Sequence, residues 1–317
     1  MIYLLASIGL SVLLLLNFRL FPRFNVNTVQ AISLNYLVCF LTGYVLLPTG
    51  TSFSIDLGQT WTWVALGIGV AFVVTFLLSG ESTQRNGITA TSLANNLSLV
   101  IPVSVSLFVL GTSGRAFDGW NYLGLGLAVV AVGLSTYKKK ASDEAHTAKT
   151  SGLLSLLPVA VFLMYGFTNT LINVMNVRYI ATGESTPGES TPGLDSPGQS
   201  PVVVTLTMVV GAIAAGTLLF GYRLVRGIDR VEKQNLVGAV TLGIPNFLSF
   251  YTLVLALSAF DGNGALVYPL YNMGVIVLAA AVAALFFNEK LLTINKVGLV
   301  MAVLAIGLIS WQELLTK

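Results

Sequence analysis

Ten stretches of this chain stay apolar for about the 20 residues that an α-helix needs to cross the hydrocarbon core of a bilayer. They cover 2–20, 28–47, 61–80, 87–110, 120–137, 152–177, 201–221, 235–259, 262–287 and 294–312. Several joints are short, and the break after 259 rests on Asp261 and its neighbouring glycines. Lipid offers the backbone no hydrogen-bond partner, so a spanning segment is either a helix or a strand of a closed barrel. These runs are too long for barrel strands and lack alternation, which excludes the barrel. Only 9% of the residues are charged, against about 25% in a soluble domain, too few to cover a surface in water. The expected fold is therefore an all-α integral membrane protein with ten transmembrane helices. The run from Ile2 to Leu16 has no basic leader and no convincing small-residue cleavage site, so it reads as the first span rather than a signal peptide.

Lysine and arginine concentrate in cytoplasmic connections. With the connections numbered along the chain, the odd ones hold Arg19, Arg23, Arg85, Lys138, Lys139, Lys140, Lys149, Arg223, Arg226, Arg230, Lys233, Lys290 and Lys296, thirteen of the 16 basic residues. The even connections and the termini hold Arg115, Arg178 and Lys317. The expected orientation in the cell (cytoplasmic or inner) membrane puts the odd connections in the cytoplasm and both termini outside. One miscounted span would scramble that segregation. Residues 182–200, TGESTPGESTPGLDSPGQS, are rich in Pro, Gly, Ser and Thr and carry Glu184, Glu189 and Asp195, so they read as a solvated, disordered outer loop.

The chain also repeats itself. Residues 124–134 read GLGLAVVAVGL and 298–308 read GLVMAVLAIGL, matching at seven positions with an offset of 174; LGI at 66–68 returns at 242–244, an offset of 176. The tenth span is thus the counterpart of the fifth, and the eighth of the third. The halves are 1–140 and 151–317, joined by a cytoplasmic connection at 141–150. Five spans are an odd number, so the second half enters the membrane from the opposite side. Two inverted five-helix repeats are expected, an architecture typical of secondary transporters.

Other chemistries lack material. The single cysteine, Cys39, sits in an apolar run and permits no intramolecular disulfide; the single histidine, His146, sits in a connection. No phosphate-binding GxxxxGK[ST] loop is present. Enzyme activity, a metal, a cofactor and nucleic-acid binding are not expected.

Four segments, in order, carry a family resemblance: FRLFPRFNVNTVQAISLNY (18–36), NNLSLVIPV (95–103), VYPLYNMGVIV (267–277) and FFNEKL (286–291). With the glycine-bearing last span they resemble the ten-helix, EamA-type members of the drug/metabolite transporter superfamily. The resemblance implies that spans 1 to 4 and 6 to 9 surround a central cavity while 5 and 10 pack outside. FFNEKL is similar to the family's acidic turn between its last two helices, whereas the first-half equivalent, LGTSGRAF (110–117), has no glutamate. The first span has no acid either. Small four-helix relatives use one there for proton coupling, so proton-coupled export of cationic drugs is not implied.

Ionisable groups in a membrane are costly and usually functional. The deep parts of these spans have none, so neutral groups must line any site. Tyr165, Asn169 and Asn173 recur every four residues on the sixth span, with Asn176 near the same face. Two readings stand for this stripe, a cavity lining and interhelical hydrogen bonding. Asn95 and Asn96 precede Pro102, whose missing N–H bends a helix; a site and a packing kink are both open. Further candidates are Asn35 and Tyr36, Asn246 after Pro245, and Tyr268, Tyr271 and Asn272 around Pro269. Pro102, Pro245 and Pro269 are the expected kinks or hinges. Glu289 with Lys290 reads as a turn, a gate contact or a surface ion pair, and Glu81 with Arg85 likewise.

The expected function is secondary transport of a small neutral or zwitterionic metabolite, amino-acid-like, by a monomer in the lipid bilayer. Flipping of a lipid-linked substrate and a scaffold without transport are the alternatives.

Overall fold

The computed structural model describes residues 1–47, 53–105, 118–136, 156–179, 201–260, 264–289 and 292–312. The expected cytoplasmic connection at 141–150, the outer loop at 182–200, Lys290 and the Asn176 side chain lie outside the described residues. Regular structure among the described residues is helical throughout. The helices are α1 (Ile2–Leu20), α2 (Thr28–Val45), α3 (Thr60–Asn86), α4 (Ile88–Leu97), α5 (Gly119–Thr136), α6 (Leu157–Tyr179), α7 (Pro201–Val225), α8 (Lys233–Ala259), α9 (Gly264–Phe287) and α10 (Thr293–Ile309). A 3-10 turn, Phe21–Phe24, follows α1, and a short helix, Val100–Val105, follows α4.

Each helix falls on one expected span. Among the described residues, eight segments are long and apolar enough to cross a membrane, the fourth being Ile88–Val105 as a whole; α5 and α10 are shorter apolar helices. The 17 residues of α10 rise about 26 Å, a little less than the hydrocarbon core. By length and composition the chain is a helical, multi-pass membrane protein.

The helices pack as two compact units, Met1–Pro22 with Leu78–Gly166 and Leu248–Lys317, and Arg23–Leu77 with Phe167–Phe247. Each draws on both halves of the sequence.

In the first unit α1 turns Leu4, Ile8, Val12 and Leu15, spaced by three and four residues, onto Ala256 of α8 and Val267, Val275, Ala279 and Ala283 of α9. A second core joins Leu93 and Leu97 of α4, Ala128 and Ala131 of α5, Ile276 of α9, and Ala302, Ala305 and Ile306 of α10. Lipid tails are as apolar as leucine, so association here comes from close packing, which small residues permit. A Cβ on Gly124 would lie 2.8 Å from the Ile309 nitrogen and 2.9 Å from the Ala305 oxygen, so α5 and α10 touch backbone to backbone.

That pair is also reciprocal. The Asn121 amide of α5 donates to the Leu308 and Ile309 carbonyls at the end of α10 (3.3 and 2.7 Å). The Asn295 amide of α10 donates to the Leu134 carbonyl of α5 (3.0 Å). Each asparagine also accepts, through Oδ1, from the backbone N–H three residues before it, Asp118 for Asn121 (2.9 Å) and Leu292 for Asn295 (3.2 Å). Asn121 and Asn295, Leu134 and Leu308, and Asp118 and Leu292 are all 174 residues apart. Start therefore meets end in both directions, so the two helices run antiparallel about a local two-fold axis. Asn121→Ala is expected to lower stability by about 2 kcal/mol and the half-buried Asn295→Ala by about 1 kcal/mol, with the double variant near the sum. Thermal unfolding of detergent-purified protein measures this; a silent Asn295→Ala would mean that only one end of the pair is tied.

In the second unit Trp61, Ala65 and Ile68 of α3 pack on Met175 and Tyr179 of α6 and Val204 and Met208 of α7. Helix α2 starts at Asn27, whose Oδ1 accepts from the Val29 and Gln30 N–H groups (3.1 and 3.2 Å), two of the donors that a helix start leaves unpaired. A buried polar cluster then ties this start to the α7–α8 turn. Gln30 donates to the Arg230 carbonyl (2.8 Å) and accepts from Asn235 (2.7 Å), while Asn27 donates to Asp229 (2.9 Å).

Candidate functional site

Helix α4 is interrupted where Pro102 requires it. Proline has no N–H for the Ser98 carbonyl four residues back; that carbonyl accepts from Ile101 instead (3.0 Å). The helix stops at Leu97 and resumes at Val100. Asn95 and Asn96 thus occupy the last turn before a break. Their amides differ. Asn96 is 4% exposed and folds back on its own helix, donating to the Ser92 carbonyl (2.8 Å) and hydroxyl (3.5 Å). Asn95 is half-buried, and its amide makes no hydrogen bond to the described residues.

Helix α9 packs against α4 and continues through Pro269 without interruption. Tyr271 shares a hydrogen bond with Ser11 of α1 (2.7 Å). Asn272, one turn before the core residue Ile276, is 9% exposed and makes no hydrogen bond to the described residues. Tyr268 is 41% exposed. On α6, Tyr165 packs against the α4–α5–α10 core and its hydroxyl accepts from Ser79 of α3 (3.3 Å). The first unit thus brings together Asn95, Asn96, Tyr165, Tyr268, Tyr271 and Asn272. Two of its amides, Asn95 and Asn272, retain free hydrogen-bonding capacity in an apolar setting, where an unpaired polar group calls for water or a ligand.

The other candidates belong to the second unit. Asn35 is fully buried, donates to the Ile32 carbonyl, and accepts from Asn246 of α8 (3.0 Å) and Cys39 (3.5 Å). The Cys39 thiol also donates to the Gly243 carbonyl (3.3 Å). A Cβ on Gly243 would lie 2.6 Å from the Asn35 carbonyl oxygen. Asn35 and Asn246 therefore join α2 to α8 at a close crossing. Pro245 is buried there and leaves α8 unbroken. Tyr36 is 2% exposed with its ring 6.0 Å from that of Phe76. Asn169 and Asn173 are half-buried, whereas Leu163 and Phe167 on the other side of α6 are exposed at 57% and 52%. The amide stripe of α6 thus points away from the apolar outer face. Of the three expected hinges, only Pro102 coincides with a break.

Charge stays at helix ends. Arg19 donates to the Gln84 and Thr83 carbonyls (2.7 and 3.4 Å), and Glu81 pairs with Arg85 in an exposed i, i+4 contact. Among the described residues, no three His, Cys, Asp or Glu side chains cluster to hold a metal.

No protein-family profile matches this sequence. An uncharacterised protein of Haemophilus influenzae is 23% identical over 306 residues, spanning 95% of this chain and 94% of that protein. A solved crystal structure that is 14% identical has a similar fold, with a TM-score of 0.52 over 98% of this chain and 99% of that one. The likeness to the solved structure is one of fold.

Pattern reading missed the serines. Ser11 and Ser79 hold the two tyrosine hydroxyls, yet a serine within an apolar span is indistinguishable from the small residues that let helices approach. Glu289 was read with Lys290, which lies outside the described residues; its carboxylate reaches the start of α4 (Oε1 to the Ile88 nitrogen, 2.9 Å). Gly87 beside it holds φ at +94°, a conformation that glycine alone adopts readily; the glycine itself was the only trace of this in the sequence.

Proposed function

We propose that the chain is a secondary transporter of the drug/metabolite superfamily type, built as two inverted five-helix repeats. It moves a small neutral or zwitterionic metabolite by alternating access. The observation that carries the reading is the reciprocal α5–α10 pair, whose matching bonds recur at one offset of 174 residues. Inverted halves have two near-equivalent packings, one open to each side, and transport needs both. The substrate site of this reading lies on α4 and α9, with Tyr165 of α6 beside them: Asn95 and Asn272 offer amides, and Tyr165, Tyr268 and Tyr271 offer aromatic faces. Its neutral groups suit a substrate without strong net charge. The orientation has support as well. The ends of α1, α3 and α9, which open odd connections, meet at Arg19, Gly87 and Glu289, whereas the start of α5 meets the end of α10.

A thermal-shift screen of the detergent-purified protein against a metabolite library tests the reading, since a ligand raises apparent stability by about RT ln(1 + [L]/Kd). A saturable hit is expected. Asn95→Ala and Asn272→Ala should each weaken it about fivefold, the worth of one neutral hydrogen bond. Asn96→Ala should leave affinity unchanged, because that amide is bonded within its own helix. A hit bound equally well by the Asn95 and Asn272 variants would remove the site from α4 and α9. Stabilisation by lipid-linked compounds alone would turn the reading to a flippase.

A further inference from the structure

We propose that Glu289 is a positioning residue, the bolt of a latch that pins the start of α4 and must be drawn for the site to open at that end. The inference rests on the transport reading above. Helix α4 has no cap of its own, since its N-cap residue is Gly87. A carboxylate from two hundred residues away supplies it. Glu289 Oε1 accepts from the Ile88 N–H (2.9 Å), and Oε2 accepts from the Thr89 N–H (3.5 Å) and hydroxyl (3.2 Å). These are the first unpaired donors of α4, at the positive end of its dipole.

Both sides of the contact are shaped for it. Gly87 holds φ at +94°, and a Cβ there would lie 2.6 Å from Glu289 Oε1. Asn288, just before the carboxylate, has φ +49°, the left-handed region that asparagine tolerates best after glycine. The Glu289 N–H returns to the Ala283 carbonyl of α9 (3.1 Å). On the other side of the joint Arg19 closes the end of α3, donating to the Gln84 and Thr83 carbonyls. Gln84 answers by donating to the Phe18 carbonyl (3.1 Å), and the guanidinium lies 6.0 Å from the centre of the Phe287 ring. A cation thus meets the negative end of α3 and an anion the positive end of α4. One joint gathers α1, α3, α4 and α9. The contact sits two turns from Asn95, at the other end of the helix that carries it. A helix held at one end and broken at the other by Pro102 can be re-aimed only if the held end lets go.

The test reads accessibility rather than transport. In a Cys39→Ser background, Ser92→Cys introduces a thiol at a fully buried position of α4. Its labelling by a membrane-impermeant maleimide is followed in vesicles of both orientations. Slow labelling is expected with Glu289 intact. A rise of about tenfold is expected for Glu289→Ala, from the face that carries Glu289 only, with Glu289→Gln between the two because it keeps an acceptor without the charge. Should the alanine variant not fold, the glutamine variant and Gly87→Ala carry the same expectation. A lowered melting temperature with unchanged labelling would make Glu289 a static cap and overturn the latch. A ligand found in the screen together with unchanged labelling would overturn the latch and leave the transport reading standing. Labelling that rises equally from both faces would also overturn it, since the helix would then have come loose without opening one end.

Discussion

Gly69→Ala is expected to cost about 3 kcal/mol, the upper part of the range for overpacking a core, and Gly211→Ala about the same. A Cβ on Gly69 of α3 would lie 2.0 Å from the Met208 oxygen and 2.5 Å from the Ala212 nitrogen of α7; a Cβ on Gly211 would lie 2.2 Å from the Leu66 oxygen. The obstructing atoms are backbone on both sides, so no rotamer can yield and the helices must part. Folded proteins are stable by about 5–15 kcal/mol, so either change removes a large share. Controls are built in. Gly67, Gly126 and Gly133 have open space where a Cβ would go, and alanine there should be harmless or favourable by up to about 1 kcal/mol. Melting of the detergent-extracted protein, followed by size-exclusion chromatography, measures all five. A Gly69→Ala protein that melts with the parent would show that α3 and α7 do not cross at this distance.

Asp229→Ala is the second large effect, expected at about 2–3 kcal/mol, somewhat below the cost of breaking a fully buried ion pair. Asp229 is the hub of the α7–α8 turn. Its carboxylate receives Arg223 Nε and Nη2 (2.6 and 3.1 Å) and the Asn27 amide (2.9 Å). The side chain is 3% exposed and that of Arg223 27%. The hydrogen bond from Arg223, reinforced by its charge, holds the Asp229 carboxyl below the usual carboxylate range, against the opposing effect of burial. A depressed folded value means that the stabilisation is complete above the unfolded value of about 3.9 and is lost as pH falls through the folded one. The melting curves of parent and variant should therefore stay apart by a constant interval from pH 7 down to about 5 and converge below about pH 4. An interval that does not change with pH would place the effect in packing rather than in the ion pair.

The helices were legible in the sequence because lipid leaves few alternatives. A run of about 20 apolar residues must pair its own backbone, and each of the ten expected ranges contains a helix. The α5–α10 echo was legible for a related reason: close crossing demands small residues at fixed spacing, and fixed spacing survives as pattern. The candidate site was legible only as a set of residue types. Asn95 and Asn96 are adjacent and identical in chemistry, yet one amide turns back on its own helix and the other does not, a choice made by side-chain orientation around the break. Asn35 and Asn246, expected as lining, hydrogen-bond to each other between α2 and α8, and amides suit both roles. Glu289 was read beside its sequence neighbour, whereas the partner that the described residues show is the open end of a helix formed two hundred residues earlier. A helix terminus is an anion site made by geometry, so no residue type announces it.

The reciprocal bonds of α5 and α10 also bear on how such a pair can change over generations. Were the two helices identical copies, every substitution would strike both ends at once, and a gain at one could not be separated from harm at the other. In a single chain the ends are independent. The cap positions already differ: Asp118 Oδ1 accepts from the Trp120 and Asn121 N–H groups (3.0 and 3.2 Å) and from the Trp311 indole (3.0 Å), whereas its counterpart Leu292 offers no side-chain acceptor. One end therefore carries an anchor that the other lacks, while an asparagine ties both, so a change at Asp118 would loosen one end of the pair and leave the other as it is.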